Sequence, residues 1–131
     1  MEYVQLTEPE RSFWLSEQVA GGHNHVAVAF DIGWQHDTAL LAAAFRQLVA
    51  EQPRLRCRIV THDGYACWHD DAAAAPPALG TVSCDAGDVE ATLWRLARRP
   101  FCLEREAPCR AVLVSGGGRQ LLLVVVHHVA T

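Results

Sequence analysis

The sequence predicts an α/β fold, an α+β two-layer sandwich in which helices pack on a mixed sheet. Three observations carry that expectation. Residues 37–53 and 88–100 place apolar side chains at helical spacing. Around them lie stretches that alternate apolar and smaller or polar residues at period two, "HVAVAFDI" first among them. Near the end, "LLLVVV" is an apolar run without polar alternation, the pattern of a central strand covered on both faces. With helices and strands interleaved in one chain of 131 residues, a single domain spanning 1–131 is expected, and a chain of that size buries roughly 68% of its unfolded surface.

Taken in order, each element has a local cause. In "LTEPERSFWLSEQ", Thr7 and Glu10 stand at capping-box spacing and Pro9 falls in the first turn, so a helix starts at Thr7. After the Gly21-Gly22 break, Val26, Val28, Phe30 and Ile32 alternate, which predicts a strand with one buried face. From Asp37 a helix places Leu41, Phe45, Leu48 and Val49 on its inward side and ends at Pro53. "RLRCRIVTHDGYACWHD" reads as a β-hairpin around Asp63-Gly64, because that dipeptide tolerates the positive φ angles of a tight turn. "DDAAAAPPALG" is a connecting loop that leads to a short strand from Thr81 to Cys84. A second amphipathic helix turns Val89, Leu93, Leu96 and Ala97 inward and stops before Pro100. "RAVLVSGGGRQLLLVVVHH" then makes two strands joined by a glycine turn.

Composition excludes several classes of function. Half the residues are hydrophobic, a fifth are charged and the net charge is −4, so no basic field for nucleic acid is expected. No apolar run approaches the ~20 residues of a membrane span. The stretch after Met1 lacks the basic start and apolar centre of a signal peptide, which implies a cytoplasmic protein. Cys57, Cys67, Cys84, Cys102 and Cys109 are odd in number and without CxxC spacing, so reduced and mostly buried thiols are expected.

The apolar run leads into His127 and His128. Successive side chains on a strand point to opposite faces, so only one of the two rings can serve a given site if the strand continues. On one reading, one ring is a hydrogen-bonded core histidine and the other caps the strand end. On the other, a strand end presents a catalytic ring whose pKa is movable toward neutrality. Composition alone does not decide between them. His23 and His25 share a face and His62 and His69 flank the hairpin, but no carboxylate or cysteine completes a recognised ligand spacing, so no metal is expected. No Gly-x-Ser-x-Gly turn occurs, and the chemistry expected is acid–base.

Four stretches add a family resemblance. "LTEPERSFWL" carries Leu6, Thr7, Arg11, Trp14 and Leu15; "LVAEQPRLRCRI" carries Leu55, Arg56 and Arg58. "RPFCLEREAPCRAVLV" carries Pro100, Phe101, Leu103, Pro108 and Arg110, and "VVVHHVAT" opens like His-His-x-x-x-Asp-Gly. In this order they resemble the N-terminal half of a nonribosomal peptide synthetase condensation domain, in the chloramphenicol acetyltransferase-like superfamily. Two departures stand out: Pro9-Glu10 where the family has Ala-Gln, and Glu51-Gln52-Pro53 where it has Arg-His-Glu.

The resemblance implies an N-terminal lobe whose C-terminal lobe is absent, and inactivity of the chain alone. It implies amide formation between an acyl or peptidyl thioester and an amine, each held on the phosphopantetheine arm of a donor or acceptor peptidyl carrier protein. No cofactor, nucleic acid or membrane partner is implied. By position, His128 becomes the catalytic base, worth ~10²–10⁴-fold. His127 becomes a structural residue of the active site, as do Arg56 and Arg58, which also read as exposed hairpin charges. The motif's Asp lies outside the sequence. Two other functions remain open: a related acyltransferase making esters or amides on a soluble acceptor, and a non-catalytic binding lobe.

Overall fold

The computed structural model of the chain describes residues 2–33 and 37–131. In chain order the elements are β1 (Tyr3–Gln5), α1 (Glu8–Val19), β2 (His25–Gly33), α2 (Thr38–Glu51), β3 (Arg58–His62), β4 (Tyr65–His69), β5 (Gly80–Ser83), α3 (Val89–Arg98), β6 (Cys109–Gly116) and β7 (Arg119–His127). The strands form two sheets. A four-stranded mixed sheet has the order β2-β7-β6-β5, with β5 and β6 parallel and the other pairs antiparallel. The hairpin expected around Asp63-Gly64 belongs to a second, three-stranded sheet, β1-β4-β3. Its turn has both central residues at positive φ, Asp63 at 51° and Gly64 at 83°.

Local chemistry accounts for the helix ends. Thr7 Oγ1 accepts from the Glu10 amide at 3.3 Å while Glu10 Oε1 accepts from the Thr7 amide at 2.9 Å, the reciprocal capping box expected. Asp37 caps α2 by accepting from the Ala39 amide at 2.9 Å. Helix α3 ends at Arg98, two residues before Pro100.

Residue alternation along β7 divides the packing. Leu123 and Val125 join Leu6, Ile59, Trp68, Phe101 and Leu103 in the main core, against which Phe13 and Trp14 of α1 and Leu93 and Leu96 of α3 pack. On the opposite face Val126 meets Cys109 and Ala111, covered by Phe45 and Val49 of α2. Cys57, Cys67 and Cys109 are buried, whereas Cys102 is exposed. No helix among the described residues is long and apolar enough to cross a membrane.

The structure corrects four expectations. Strand β2 forms as predicted, but its alternating face is not buried: Val26, Val28 and Phe30 are 40%, 45% and 51% exposed. β2 is the edge of its sheet, and α2 reaches only as far as β7 and β6. For the same reason β7, though central, is fully covered on one face and half-covered on the other. Leu48 points outward, 45% exposed, while Phe45 and Val49 carry the contact of α2. Strand β1 was not foreseen; its three residues pair Tyr3 with His69 and Gln5 with Cys67.

Candidate active site

The two terminal histidines part company at the end of β7. The strand ends at His127, and His128 opens a single 3₁₀ turn, His128–Ala130. Strand alternation therefore does not place His128; the turn does. The turn forms because the His127 ring caps it, Nδ1 accepting from the Val129 amide at 3.0 Å. The His128 amide donates to Asn24 O at 2.8 Å, which ties the turn to the segment entering β2.

His127 is completely buried. Since its Nδ1 accepts a backbone N–H, the neutral ring carries its proton on Nε2, which points toward Glu17 Oε1 at 3.6 Å. Burial pushes its pKa down to about 4, against the upward pull of Glu17, so the ring is neutral at pH 7.

Glu17, in the last turns of α1, is the centre of this cluster and was not singled out from the sequence. Its Oε1 accepts from the Phe101 amide at 3.0 Å and lies 3.2 Å from His25 Nε2, and its Oε2 accepts from the Gly22 amide at 2.9 Å. Burial would raise this carboxyl, but the hydrogen bonds from Phe101, His25 and Gly22, with the nearby His127, hold it below the usual carboxylate range. His25 stands opposite His127 in the β2–β7 register, with Nδ1 3.0 Å from Ala97 O. Both His25 nitrogens thus face oxygen atoms, so the ring bridges the Glu17 carboxylate and the Ala97 carbonyl near the end of α3. The glycine pair makes room for it. A Cβ on Gly21 would sit 2.9 Å from Glu17 Oε2, and Gly22, at φ +89°, would bring one within 2.7 Å of Arg98 O.

Glu17, His25 and His127 offer ligand atoms within 4.8 Å of one another, a spacing that invites comparison with a metal centre. The hydrogen bonds argue otherwise. The His127 nitrogen that would have to bind an ion carries the ring's proton, and the Glu17 oxygen that would join it is already shared by an amide and an imidazole. The cluster holds protons between four chain segments. His23, the expected facial partner of His25, is exposed. His62 and His69 sandwich Tyr3 at 3.8 and 4.5 Å between ring centroids.

His128 differs in every respect. Its ring stacks on Phe13 of α1 at 5.4 Å and is half-buried, and Nδ1 lies 3.5 Å from Thr131 Oγ1. Among the described residues no group hydrogen-bonds its Nε2, which leaves that nitrogen available as a proton acceptor. The arrangement is a fixed, fully buried ring followed at once by a braced, accessible one.

Arg56 and Arg58 lie elsewhere. Arg56 follows α2, where Nη1 caps the helix by donating to Ala50 O at 2.7 Å and Val49 O at 3.3 Å, and Nε pairs with Asp70 at 2.9 Å. Arg58 opens β3 and borders a cleft that it shares with Arg56. The contacts of Arg56 therefore anchor a helix end and do not reach the histidine pair.

A mixed sheet with this order, ending in a fully buried histidine followed by a half-buried one, defines the class: the chain resembles the N-terminal part of the condensation domains of nonribosomal peptide synthetases, in sequence and in fold. No family model matches it. The relatives it is similar to are specific. A probable non-canonical nonribosomal peptide synthetase, CymA, from Salinispora arenicola (strain CNS-205), is 28% identical over 97% of this chain, which spans 2% of that protein. The X-domain from teicoplanin biosynthesis superimposes with a TM-score of 0.85 at 28% identity, over 98% of this chain and 28% of its own. The first condensation domain of the calcium-dependent antibiotic synthetase, in complex with a substrate analogue, superimposes at 0.76 with 26% identity, over 98% of this chain and 33% of its own. This chain thus spans a small part of each relative.

Proposed function

We propose that the chain is the N-terminal lobe of a condensation domain that joins an acyl or peptidyl thioester to an amine. The observation that carries this reading is the contrast at the end of β7: His127 sealed and neutral, His128 braced on Phe13 with Nε2 free. In the reaction, an amine held on an acceptor carrier protein attacks the carbonyl of a thioester held on a donor carrier protein. His128 Nε2 accepts the proton that the amine nitrogen loses as the new C–N bond forms. Collapse of the tetrahedral intermediate breaks the C–S bond, and the departing thiolate takes up a proton to become the free thiol. Holding two tethered substrates in line contributes more of the rate than the base alone.

His127 acts as a structural residue. Its Nδ1 shapes the turn that carries His128, and because that nitrogen accepts the Val129 amide the ring's proton stays on Nε2, facing Glu17. Arg56 supports the same lobe from the end of α2. The second lobe and both carrier proteins belong to this proposal. It is tested by amide formation from loaded donor and acceptor carriers: the intact domain is expected to yield peptide product and the 131-residue chain alone none. Product from the chain alone would sink the two-lobe reading.

A second reading, a non-catalytic binding lobe, is favoured by one observation. The same X-domain has been solved as a complex with OxyB, with 28% identity over 97% of this chain. Under that reading His128→Ala leaves partner binding intact and there is no turnover to lose.

A further inference from the structure

Five of the chain's arginines converge on one cleft. The sequence has no lysine, so its eleven basic residues are all arginine, in a chain of net charge −4. Arg56, Arg58, Arg99, Arg105 and Arg110 line a cleft of about 230 Å³ in which, among the described residues, Glu106 is the one acidic lining residue. The walls between them come from Ala75, Pro77 and Ala78 of the loop after β4, with Cys109 at the start of β6. Burial pushes the Cys109 thiol up to about 11, so it adds no negative charge.

The positive charge is only partly neutralised. Arg56 pairs with Asp70 at 2.9 Å and Arg110 with Glu106 at 3.2 Å. Among the described residues no carboxylate or carbonyl oxygen pairs with the guanidinium of Arg58, Arg99 or Arg105. Arg110 is 92% buried by its 8% exposure, its Nε has no partner, and its Nη1 is spent on the carbonyls of Leu96 and Arg99. Burial and the neighbouring Arg99 guanidinium both pull Arg110 below its ordinary value, so the like charges are close enough to act on one another. Such a cluster is costly unless an anion shares it.

We propose that this cleft binds a phosphate-type dianion carried on a small organic group. Three unpaired guanidinium forks match the bidentate geometry of phosphate oxygens, and two negative charges suit them better than one. The short apolar walls suit a few carbons next to the phosphate. Among the described residues no aromatic side chain lines the cleft for a base to stack on, which disfavours a nucleic acid. The site does not depend on the condensation reading, because among the described residues none of its arginines hydrogen-bonds His127 or His128.

Calorimetric titration of the 131-residue chain with glycerol 3-phosphate and with inorganic phosphate, at matched low ionic strength in sodium chloride, tests it. One saturable site is expected. Arg99→Gln and Arg105→Gln, both exposed and checked for folding by circular dichroism, should each weaken it about tenfold. Arg46→Gln and Arg119→Gln, which lie outside the cleft, should leave it unchanged. Absence of saturable binding, or equal losses in both pairs of variants, would overturn the site. Tighter binding of glycerol 3-phosphate supports the organic ester, and tighter binding of inorganic phosphate overturns that part of the assignment.

Discussion

His127 and His128 are adjacent in sequence and opposite in chemistry, and the difference follows from which backbone group each ring nitrogen meets. Because the Val129 amide donates to His127 Nδ1, truncating His127 strands a buried N–H and loosens the turn. His127→Ala is therefore expected to lose ~1–3 kcal/mol in urea denaturation. Glu17 is the other residue on which the cluster depends. Glu17→Gln puts a donating NH2 where a carboxylate oxygen accepts the Gly22 or Phe101 amide, and a loss of ~1–3 kcal/mol is expected in the same measurement. The pH dependence has a definite sign. His127 has a folded pKa of about 4 against an ordinary 6.5, so between those values the unfolded chain takes up a proton that the folded chain refuses. Stability falls as pH drops through that window, by on the order of 3 kcal/mol. Glu17, held below its ordinary 4.5, adds to the loss as pH falls further through its folded value. A urea midpoint that stays flat between pH 7 and pH 4 would contradict this account of the cluster.

At the scale of elements, what was legible in the sequence is what local chemistry decides. The capping box at Thr7, the helix running from Asp37, the Asp63-Gly64 turn and the stop before Pro100 all rest on neighbours within a few residues, and all are present. Strand β1 was illegible because its three residues have no pattern of their own and are defined by pairing with β4. The burial of β2 was misread because alternation shows that one face is apolar, not that something covers it. Of the site, the histidine pair was legible and the buried Glu17 was not. A glutamate in an amphipathic helix looks solvated, and its partners Gly22, His25 and Phe101 come from three other segments. The Gly21-Gly22 break was a visible trace of it. Gly22→Ala is expected to destabilise by ~1–3 kcal/mol, since φ is +89° and a Cβ would meet the Arg98 carbonyl at 2.7 Å. An unchanged thermal midpoint would contradict the close approach.

For the whole molecule, the exposed apolar face of β2 is the counterpart of the site. Val26, Val28 and Phe30 stand together on an edge strand beside half-covered Val124 and Val126, and monomeric proteins rarely leave such contiguous surface uncovered. The chain in isolation is expected to self-associate or to capture a C-terminal lobe, as read by sedimentation velocity. A strictly monomeric species across the concentration range would count against the lobe assignment. The central claim is that His128, not His127, handles the proton of the attacking amine. The most direct measurement is the single-turnover rate of amide formation by the complete domain with loaded donor and acceptor carriers, in His128→Ala and in His127→Ala. The account predicts that His128→Ala folds with an unchanged thermal midpoint and loses ~10²–10⁴-fold in rate. It predicts that His127→Ala loses mainly stability. Full turnover in His128→Ala, beside abolished turnover in a well-folded His127→Ala, would reverse the assignment.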